Sequence, residues 1–453
     1  MSHYKPYPAY KNSGVEWIGP VPEHWEIKRL EHVVSTHREN VAPDSLNPVN
    51  VLHFSIPAVQ EIGGARVEAG STIDSNKLIV RCPQVLISKL NPRKGTVIIA
   101  DRDAELLTVA STEFVPLVPQ HGRSVIPFIA ALAVSEPLRQ LLESRVESVT
   151  RSHQRVAPED ILKASVAIPP VDEQSAIAAA LDRETARIDA LIAKKTRFIE
   201  LLKEKRQALI THVVTKGLDP NVKMKHSGVE WIGEVPEHWE VAPIKRWFST
   251  TSGSTPDTAQ QIKYYAETGG IPWIRTTDLN NATISQFEIG ITDAALLDTA
   301  CKVLPEGSVL VAMYGGDGTI GKHGLLAIPA AINQAVCALL PSKSFHERFT
   351  HAFVQFYRPH WMVDAASTRK DPNISQELIR DAAIVKPPIG EQIRIAGHIE
   401  AMADRMNRLA ARTERSIALL RERRSALITA AVTGQIDLRD ASSSESESNP
   451  CST

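Results

Sequence analysis

The chain is written twice, and this restricts its architecture more than any other feature. Residues 13–26 read SGVEWIGPVPEHWE and residues 227–240 read SGVEWIGEVPEHWE, thirteen of fourteen positions alike, with Pro20 standing against Glu234. The shift is 214 residues. A second pair of like segments, PPVDEQ at 169–174 and PPIGEQ at 387–392, is shifted by 218, as are RQALIT at 206–211 and RSALIT at 424–429. Each half therefore reads arm, long middle segment, then a proline-led charged tract. The middle segments differ in length by four residues and barely match in sequence. Two framework segments held alike around two divergent ones describe a symmetric scaffold that carries two different heads.

The charged tracts read as coiled-coil helices. From Asp172 to Thr215 there is neither Gly nor Pro; the preceding prolines suit a helix start, and Gly217 with Pro220 supplies a stop. Leu181, Ile188, Leu202 and Leu209 recur at sevens across Lys195, and Leu191 and Phe198 are expected at the intervening seam positions. In the second tract Ile399, Met406, Leu420 and Leu427 recur, with Met402 and Leu409 between them. The other faces are charged, for example Lys194, Lys203, Arg408 and Arg415. About 40 residues at about 1.5 Å each gives a helix of about 60 Å.

The middle segments read as mixed α/β (α+β) heads, each of ordinary domain size. Short β-branched runs at 85–88, 96–99 and 308–311 predict strands, and 126–144 and 345–357 predict helices. The expected division is an arm at 1–30, a first head at 31–168, a long helix with its linker at 169–223, a second arm at 224–247, a second head at 248–386 and a second long helix at 387–440. The Ser- and Glu-rich tail 441–453 is expected to be disordered. The whole is expected to be two globular domains joined by two long antiparallel helices with pseudo-two-fold symmetry.

Composition narrows the function. The formal net charge is −1, so any nucleic-acid surface must come from local clustering rather than a basic excess. Four widely spaced cysteines, Cys82, Cys301, Cys337 and Cys451, have no CxxC spacing and argue against a zinc site or disulfide framework. The N-terminus lacks the apolar stretch of a signal peptide, and no run of apolar residues would span a bilayer. A cytoplasmic protein is expected.

Catalytic patterns are sought and not found. Residues 316–322, GDGTIGK, have phosphate-loop spacing, but His323 stands where a Ser or Thr should hold magnesium, and 325–328 reads as a strand rather than a helix. Asn91 and Pro92 are followed by Arg93 and Lys94, not by the residues of a base-clamping methyltransferase motif. Asp257 and Glu267 are followed by Thr268 and Gly269, without the lysine of a nuclease cluster. No HExxH pattern occurs. Trp17, Trp25, Trp231 and Trp239 are expected to pack the arms onto their neighbours.

Basic and amide side chains gather at turns of both heads. The first head offers Lys89, Arg93 and Lys94 in SKLNPRKG, and Arg151, His153, Gln154 and Arg155 in TRSHQR. The second offers Arg275, Lys322, Asn333, Gln334, Arg369 and Lys370. Arg and Lys pair with phosphates and guanine edges, while Asn and Gln suit adenine. The clusters before the two proline pairs occupy corresponding places, so these residues are the candidate DNA-binding set.

The ordered motifs resemble the specificity subunit of type I restriction-modification enzymes. The resemblance rests on the doubled arm, IPWIRTTDL at 271–279, YGGDGTIGK at 314–322, Asn333 with Gln334, both PPxxEQxxI segments and both ALIT helix ends, and it covers nearly the whole chain. The first head departs from the pattern: it lacks the PW pair and the glycine–lysine turn. The resemblance implies that each head reads half of a split double-stranded DNA target and that the helices fix the gap and dock two methyltransferase subunits. It implies that restriction/translocase subunits join that core, and that S-adenosylmethionine, ATP and Mg belong to partners. The chain itself would then be a non-catalytic subunit holding no cofactor or metal. A coiled-coil adaptor, or a fused methyltransferase-specificity enzyme, is the alternative reading of the residues.

Overall fold

A computed structural model describes residues 4–47, 49–146, 154–315, 318–366 and 373–439. It divides into two compact units, 1–196 with 414–453, and 197–413. Each unit contains one arm, one head and one stretch of each long helix. The two helices are Val171–Lys216 and Ile389–Val432, of 46 and 44 residues. No helix among the described residues is long and apolar enough to cross a membrane.

In the first unit the start of the first long helix lies against the end of the second. Leu181 and Ile188 share one core with Leu427, Ile428 and Ala431, and Arg424 pairs with Asp189 at 3.0 Å. In the second unit Ile210, Val213 and Val214 share a core with Ile395 and Ile399. Within each unit the helix stretches therefore run antiparallel.

The seam differs from the expected one at its intervening positions. Leu191 and Phe198 are 41% and 43% exposed; Ile192 and Ile199, one residue on, are half-buried instead. From Ile188 the seam steps four residues to Ile192, then three to Lys195, whose stem is half-buried as well. Long charged side chains can cover apolar surface with their methylenes while the ammonium stays wet, so a lysine is tolerated there. In the second helix Met402 is on the seam, but the next step from Met406 reaches Ala410, and Leu409 is exposed. Two successive four-residue steps, 402 to 406 to 410, locally shift the heptad phase.

Each head holds two sheets, and their hydrogen bonding reveals a kinship that the sequences hide. In the first head a four-stranded antiparallel sheet has the order Val97–Ala100, Gln84–Ser88, Phe114–Pro119, Val34–Ser35. In the second the corresponding strands are His323–Leu326, Val309–Ala312, Val336–Leu339 and Thr250–Ser252, in the same order, with Ala282–Ile284 added parallel at the edge. Each head also has a second mixed sheet with one parallel pair: Leu107–Ser111 on Asn50–Phe54 inside the sheet in the first, Ala331–Ile332 at the edge on Ile271–Ile274 in the second. The expected strands at 85–88, 96–99 and 308–311 are in place within a residue. The helix expected at 126–144 is broken at Ser135 into Ile126–Val134 and Glu136–Ser144, because Pro137 cannot continue a helix through its own first turn. Its counterpart, Glu347–Ala366, carries Pro359 inside one continuous helix.

The arms close each head onto its helix. A hairpin of Tyr10–Asn12 with Pro20–Pro22, and its copy Met224–His226 with Glu234–Pro236, precede strands Glu26–Arg29 and Glu240–Pro243. Those strands pair with Ser165–Ile168 and Ala383–Lys386, the last strands before the proline pairs. Trp25 and Trp239 are fully buried, and Trp231 packs 4.5 Å from the rings of Tyr357 and His360, as the arm tryptophans were expected to do. Cys82, Cys301 and Cys337 are free thiols, two of them buried.

Candidate nucleic-acid interface

In both heads one hairpin loop collects the candidate residues. In the first head it joins Gln84–Ser88 to Val97–Ala100 and carries Lys89, Arg93 and Lys94. Asn91, at φ 49°, makes the left-handed turn into Pro92–Lys94, a single 3-10 turn. The loop is held from two sides. Asn91 N–H donates to Gln154 O at 2.7 Å, and Gln154 N–H donates back to Asn91 Oδ1 at 3.3 Å. Arg139 Nη1 donates to Arg93 O at 2.8 Å. The structure thus brings Lys89, Arg93, Lys94, Gln154 and Arg155 together, through a contact that spans 63 residues of sequence.

The second head builds the same loop from unrelated residues. Residues 313–322 join Val309–Ala312 to His323–Leu326 and carry Lys322. Two backbone bonds at the loop base are matched. Lys89 N–H donates to Glu113 O and accepts, through its own carbonyl, from Val156 N–H; Met313 N–H donates to Ala335 O and accepts from Ile374 N–H, all between 2.7 and 3.0 Å. Val156 and Ile374 come soon after 147–153 and 367–372 in the sequence. The first head therefore does have a counterpart of the 314–322 turn, contrary to expectation; it is SKLNPRKG, turned by Asn91 and Gly95 where the second head uses glycines. Arg151, His153, Arg369 and Lys370 lie outside the described residues.

Two other loops meet that one in the second head. Ile271–Ile274 and Ala331–Ile332 are parallel neighbours, so Arg275 and Asn333 leave the sheet side by side, and Asn333 N–H donates to Ile274 O at 3.1 Å. A methyl placed on Gly315, whose φ is 156°, would lie 3.6 Å from Thr276 Oγ1. Arg275, Asn333 and Gln334 are thereby gathered, and the loop that carries Lys322 approaches them at Gly315. The strand His323–Leu326 follows Lys322 directly, so the loop opens no helix and lacks the frame of a phosphate-binding loop.

The candidate side chains are not equally free. Arg155 makes a two-pronged pair with Glu113, both contacts 3.0 Å, and Arg275 is pinned by Asp278 at 2.9 Å and Glu288 at 3.2 Å. Both carboxylate sets hold their guanidinium groups above the ordinary range. Lys94 donates to Gln60 Oε1 at 3.2 Å, Gln334 meets Thr255, and Asn333 Oδ1 is buried without a partner. Among the described residues no carboxylate pairs with Lys89, Arg93 or Lys322. Those three are the cations most available to a phosphate.

Sequence reasoning missed the residues that aim these loops. Gln60, Glu113, Asp278 and Asn281 act through hydrogen bonds that no spacing reveals; Asn281, at φ 62°, accepts from His323 N–H at 3.2 Å and donates its own N–H to His323 O. It also missed a clamp that the repeat itself signals. In the first unit Glu173 accepts from Trp25 Nε1 at 3.0 Å and meets His24 Nε2 at 2.7 Å; in the second Glu391 accepts from Trp239 Nε1 at 3.0 Å and meets His238 Nε2 at 2.8 Å. The next residues, Gln174 and Gln392, are wholly buried and tie the helix start to the head. Gln174 bonds Val125 N–H, Arg123 O and Pro169 O; Gln392 bonds His346 N–H, Ser344 O and Pro387 O. The repeated EHWE and PPxxEQ are two halves of one joint. Among the described residues no group of His, Cys, Asp and Glu is arranged to hold a metal ion.

Comparison with known proteins gives one consistent result. Residues 236–417 match the family model described as "Type I restriction modification DNA specificity domain". The putative type I restriction enzyme MjaX specificity subunit of Methanocaldococcus jannaschii is 23% identical over 414 residues, 85% of this chain and 88% of that one. The EcoKI specificity subunit of Escherichia coli is 24% identical over 207 residues, 45% of this chain and 44% of that one. Among solved structures, a chain from work on complex assembly and conformational transition of the type I R-M system aligns with TM-score 0.73 and 17% identity, over 92% of this chain and 99% of that one. The HsdS subunit of Thermoanaerobacter tengcongensis aligns with TM-score 0.53 and 17% identity, over 92% and 98%. The doubled arm, the paired heads and these likenesses agree: residues 236–417 match a type I restriction modification DNA specificity domain, and along most of its length the chain is similar to the specificity subunits of type I restriction-modification systems.

Proposed function

We propose that this chain selects DNA for a type I restriction-modification enzyme, each head laying its hairpin loop against one half of a split double-stranded target. The observation that carries the reading is the loop equivalence: two heads of dissimilar sequence hold the same hairpin by the same two backbone bonds and arm it differently, with Lys89, Arg93 and Lys94 in one and Lys322 in the other. A common frame with different tips is what reading two different half-sites requires. Phosphate contacts would set the register, and base-edge contacts would discriminate at about 1–3 kcal/mol for each good pair.

On this reading the chain is non-catalytic and works in the cytoplasm. S-adenosylmethionine, ATP and Mg reside on methyltransferase and restriction/translocase subunits, and two methyltransferase subunits dock on the helices and arms. The helices set the unread spacer; 46 residues at about 1.5 Å each give about 69 Å of helix. Arg151, His153, Gln154, Arg155, Arg275, Asn333, Gln334, Arg369 and Lys370 complete the proposed contact set. The near-neutral net charge supports weak DNA affinity for the isolated chain and strong affinity in the complex. Mapping methylated bases across the host genome with and without this gene tests the proposal. One bipartite motif should disappear with the gene; an unchanged methylation pattern overturns it.

A further inference from the structure

The two arms are copies, but the corner where each meets a helix end is finished differently. In the first unit the corner is filled. Tyr7 is 3% exposed, its ring edge-on to Trp25 at 5.8 Å and tilted against His24 at 5.9 Å. The Arg439 guanidinium lies over its face at 5.1 Å, held by Asp437. Its hydroxyl is buried without a hydrogen-bond partner, and burial, with the nearby Glu173 carboxylate, raises the phenol's pKa above its usual range. The Glu173 side chain is consequently 7% exposed.

In the second unit the same carboxylate, histidine and tryptophan are clamped alike, but the ring is missing. The hairpin registers Tyr10 with Pro22 and Met224 with Pro236, which sets Asn221 at the place of Tyr7. Asn221 is exposed, and its N–H is turned onto Asp219 Oδ1 at 2.9 Å. What remains is a cavity of about 370 Å³ lined by Lys216, Asp219, Val222, His238, Glu391 and Arg394. The Glu391 side chain is 27% exposed, four times as much as Glu173. Arg394 and Lys216 are the cations that line this corner, where the first unit has Arg439.

We propose that this cavity is a socket for a tyrosine side chain presented by another polypeptide. The chain itself shows what fits: a phenol ring edge-on to the clamped tryptophan and a cation over its face, with the hydroxyl buried on the glutamate side. Both oxygens of Glu391 already accept one bond, and each keeps a lone pair for a phenol donor. A ring face over Arg394 gains a cation–π contact, and a phenol hydroxyl satisfies the carboxylate where a phenylalanine or leucine would desolvate it unpaired. The socket lies at the arm–helix corner, away from the hairpin loops, so it stands independently of how the chain reads DNA.

The test uses the full-length chain with its tryptophan indoles labelled with nitrogen-15, the Trp239 signal being identified by its loss in Trp239→Phe. Titration with acetyl-Gly-Tyr-Gly-amide should shift the Trp239 indole saturably, while the Trp25 indole stays still because Tyr7 occupies its corner. The leucine peptide of the same length should bind at least tenfold more weakly. Asn221→Tyr should fill the socket from within and weaken the tyrosine peptide at least tenfold. Tyr7→Ala should make the Trp25 indole responsive in turn. A Trp239 signal that does not move, that moves equally for both peptides, or that responds undiminished in Asn221→Tyr overturns the proposal; the last needs no opening of the first corner and holds even if Tyr7→Ala misfolds.

Discussion

At the residue scale the molecule depends on a few buried polar groups, each with a measurable consequence. Glu173 satisfies the indole N–H of a fully buried tryptophan, so Glu173→Ala leaves that donor stranded. An unsatisfied buried donor costs about 1–3 kcal/mol, and urea unfolding should show a loss of that size. Glu391→Ala should cost less, because water reaches Glu391 and can replace the lost acceptor. A second group is the histidine pair His323 and His351, Nδ1 to Nε2 at 2.8 Å. Burial, the facing imidazole, and Arg358 and Arg206 push His323 down to about 2; burial and Arg206 push His351 to about 4. Both stay neutral in the folded chain, whereas an unfolded imidazole takes a proton near pH 6.5. The unfolded state therefore binds the extra protons below that pH, so the stability these residues contribute is complete above about pH 6.5 and is lost as the pH falls. Each depressed imidazole contributes up to about 1.4 kcal/mol per pH unit below 6.5. Urea unfolding between pH 7.5 and 5 should show the decline, and His351→Gln should flatten it.

At the scale of elements the long helices show what sequence periodicity can and cannot fix. Leu181, Ile188 and Leu427 declare their burial because a seven-residue repeat has one reading at those positions. The intervening positions do not, because the chain offers apolar neighbours at both steps: Leu191 beside Ile192, and Phe198 beside Ile199. Only the partner helix decides between a three- and a four-residue step. Alanine substitution tests the seam directly. Ile188→Ala should cost about 2–4 kcal/mol by leaving a cavity, whereas Leu191→Ala, which empties no core, should stay within about 0.5 kcal/mol; equal losses would restore the seam through Leu191. The heads were legible as strands and helices for the same local reason. Their common hairpin was not, because it is defined by bonds from Lys89 to Glu113 and Val156, and from Met313 to Ala335 and Ile374. Gly318 and Gly321, at φ 75° and 69°, turn one loop; Asn91 and Gly95, at 49° and 56°, turn the other, so no residue-by-residue match survives. The Glu–Gln joint was present in the repeats as EHWE and PPxxEQ, but its meaning required Trp25 and Glu173 to be seen in contact across 148 residues.

For the whole molecule, the decisive question is whether the two heads act as separate readers. Lys322 belongs to the second head's hairpin and Arg93 to the first head's; among the described residues, each hairpin packs in the core of its own unit. If each loop faces its own half-site, damage to one should leave recognition of the other intact. Lys322→Ala in the assembled enzyme should weaken binding by about 1–3 kcal/mol, roughly 5- to 150-fold, if it meets a base edge, and the methylated motif should become degenerate in one half only. If Lys322 meets a phosphate instead, the motif keeps both halves, affinity falls alike for all sequences, and the slope of log affinity against log salt shrinks by about one. Arg93→Ala should produce the complementary result in the opposite half. Because each hairpin is held at its base by backbone bonds, truncating either side chain should leave the loop in place, so a lost half-site reports contact rather than collapse. Equal degeneracy of both halves in either variant would mean that the heads read the target jointly, and the division of labour drawn from the doubled sequence would have to be abandoned.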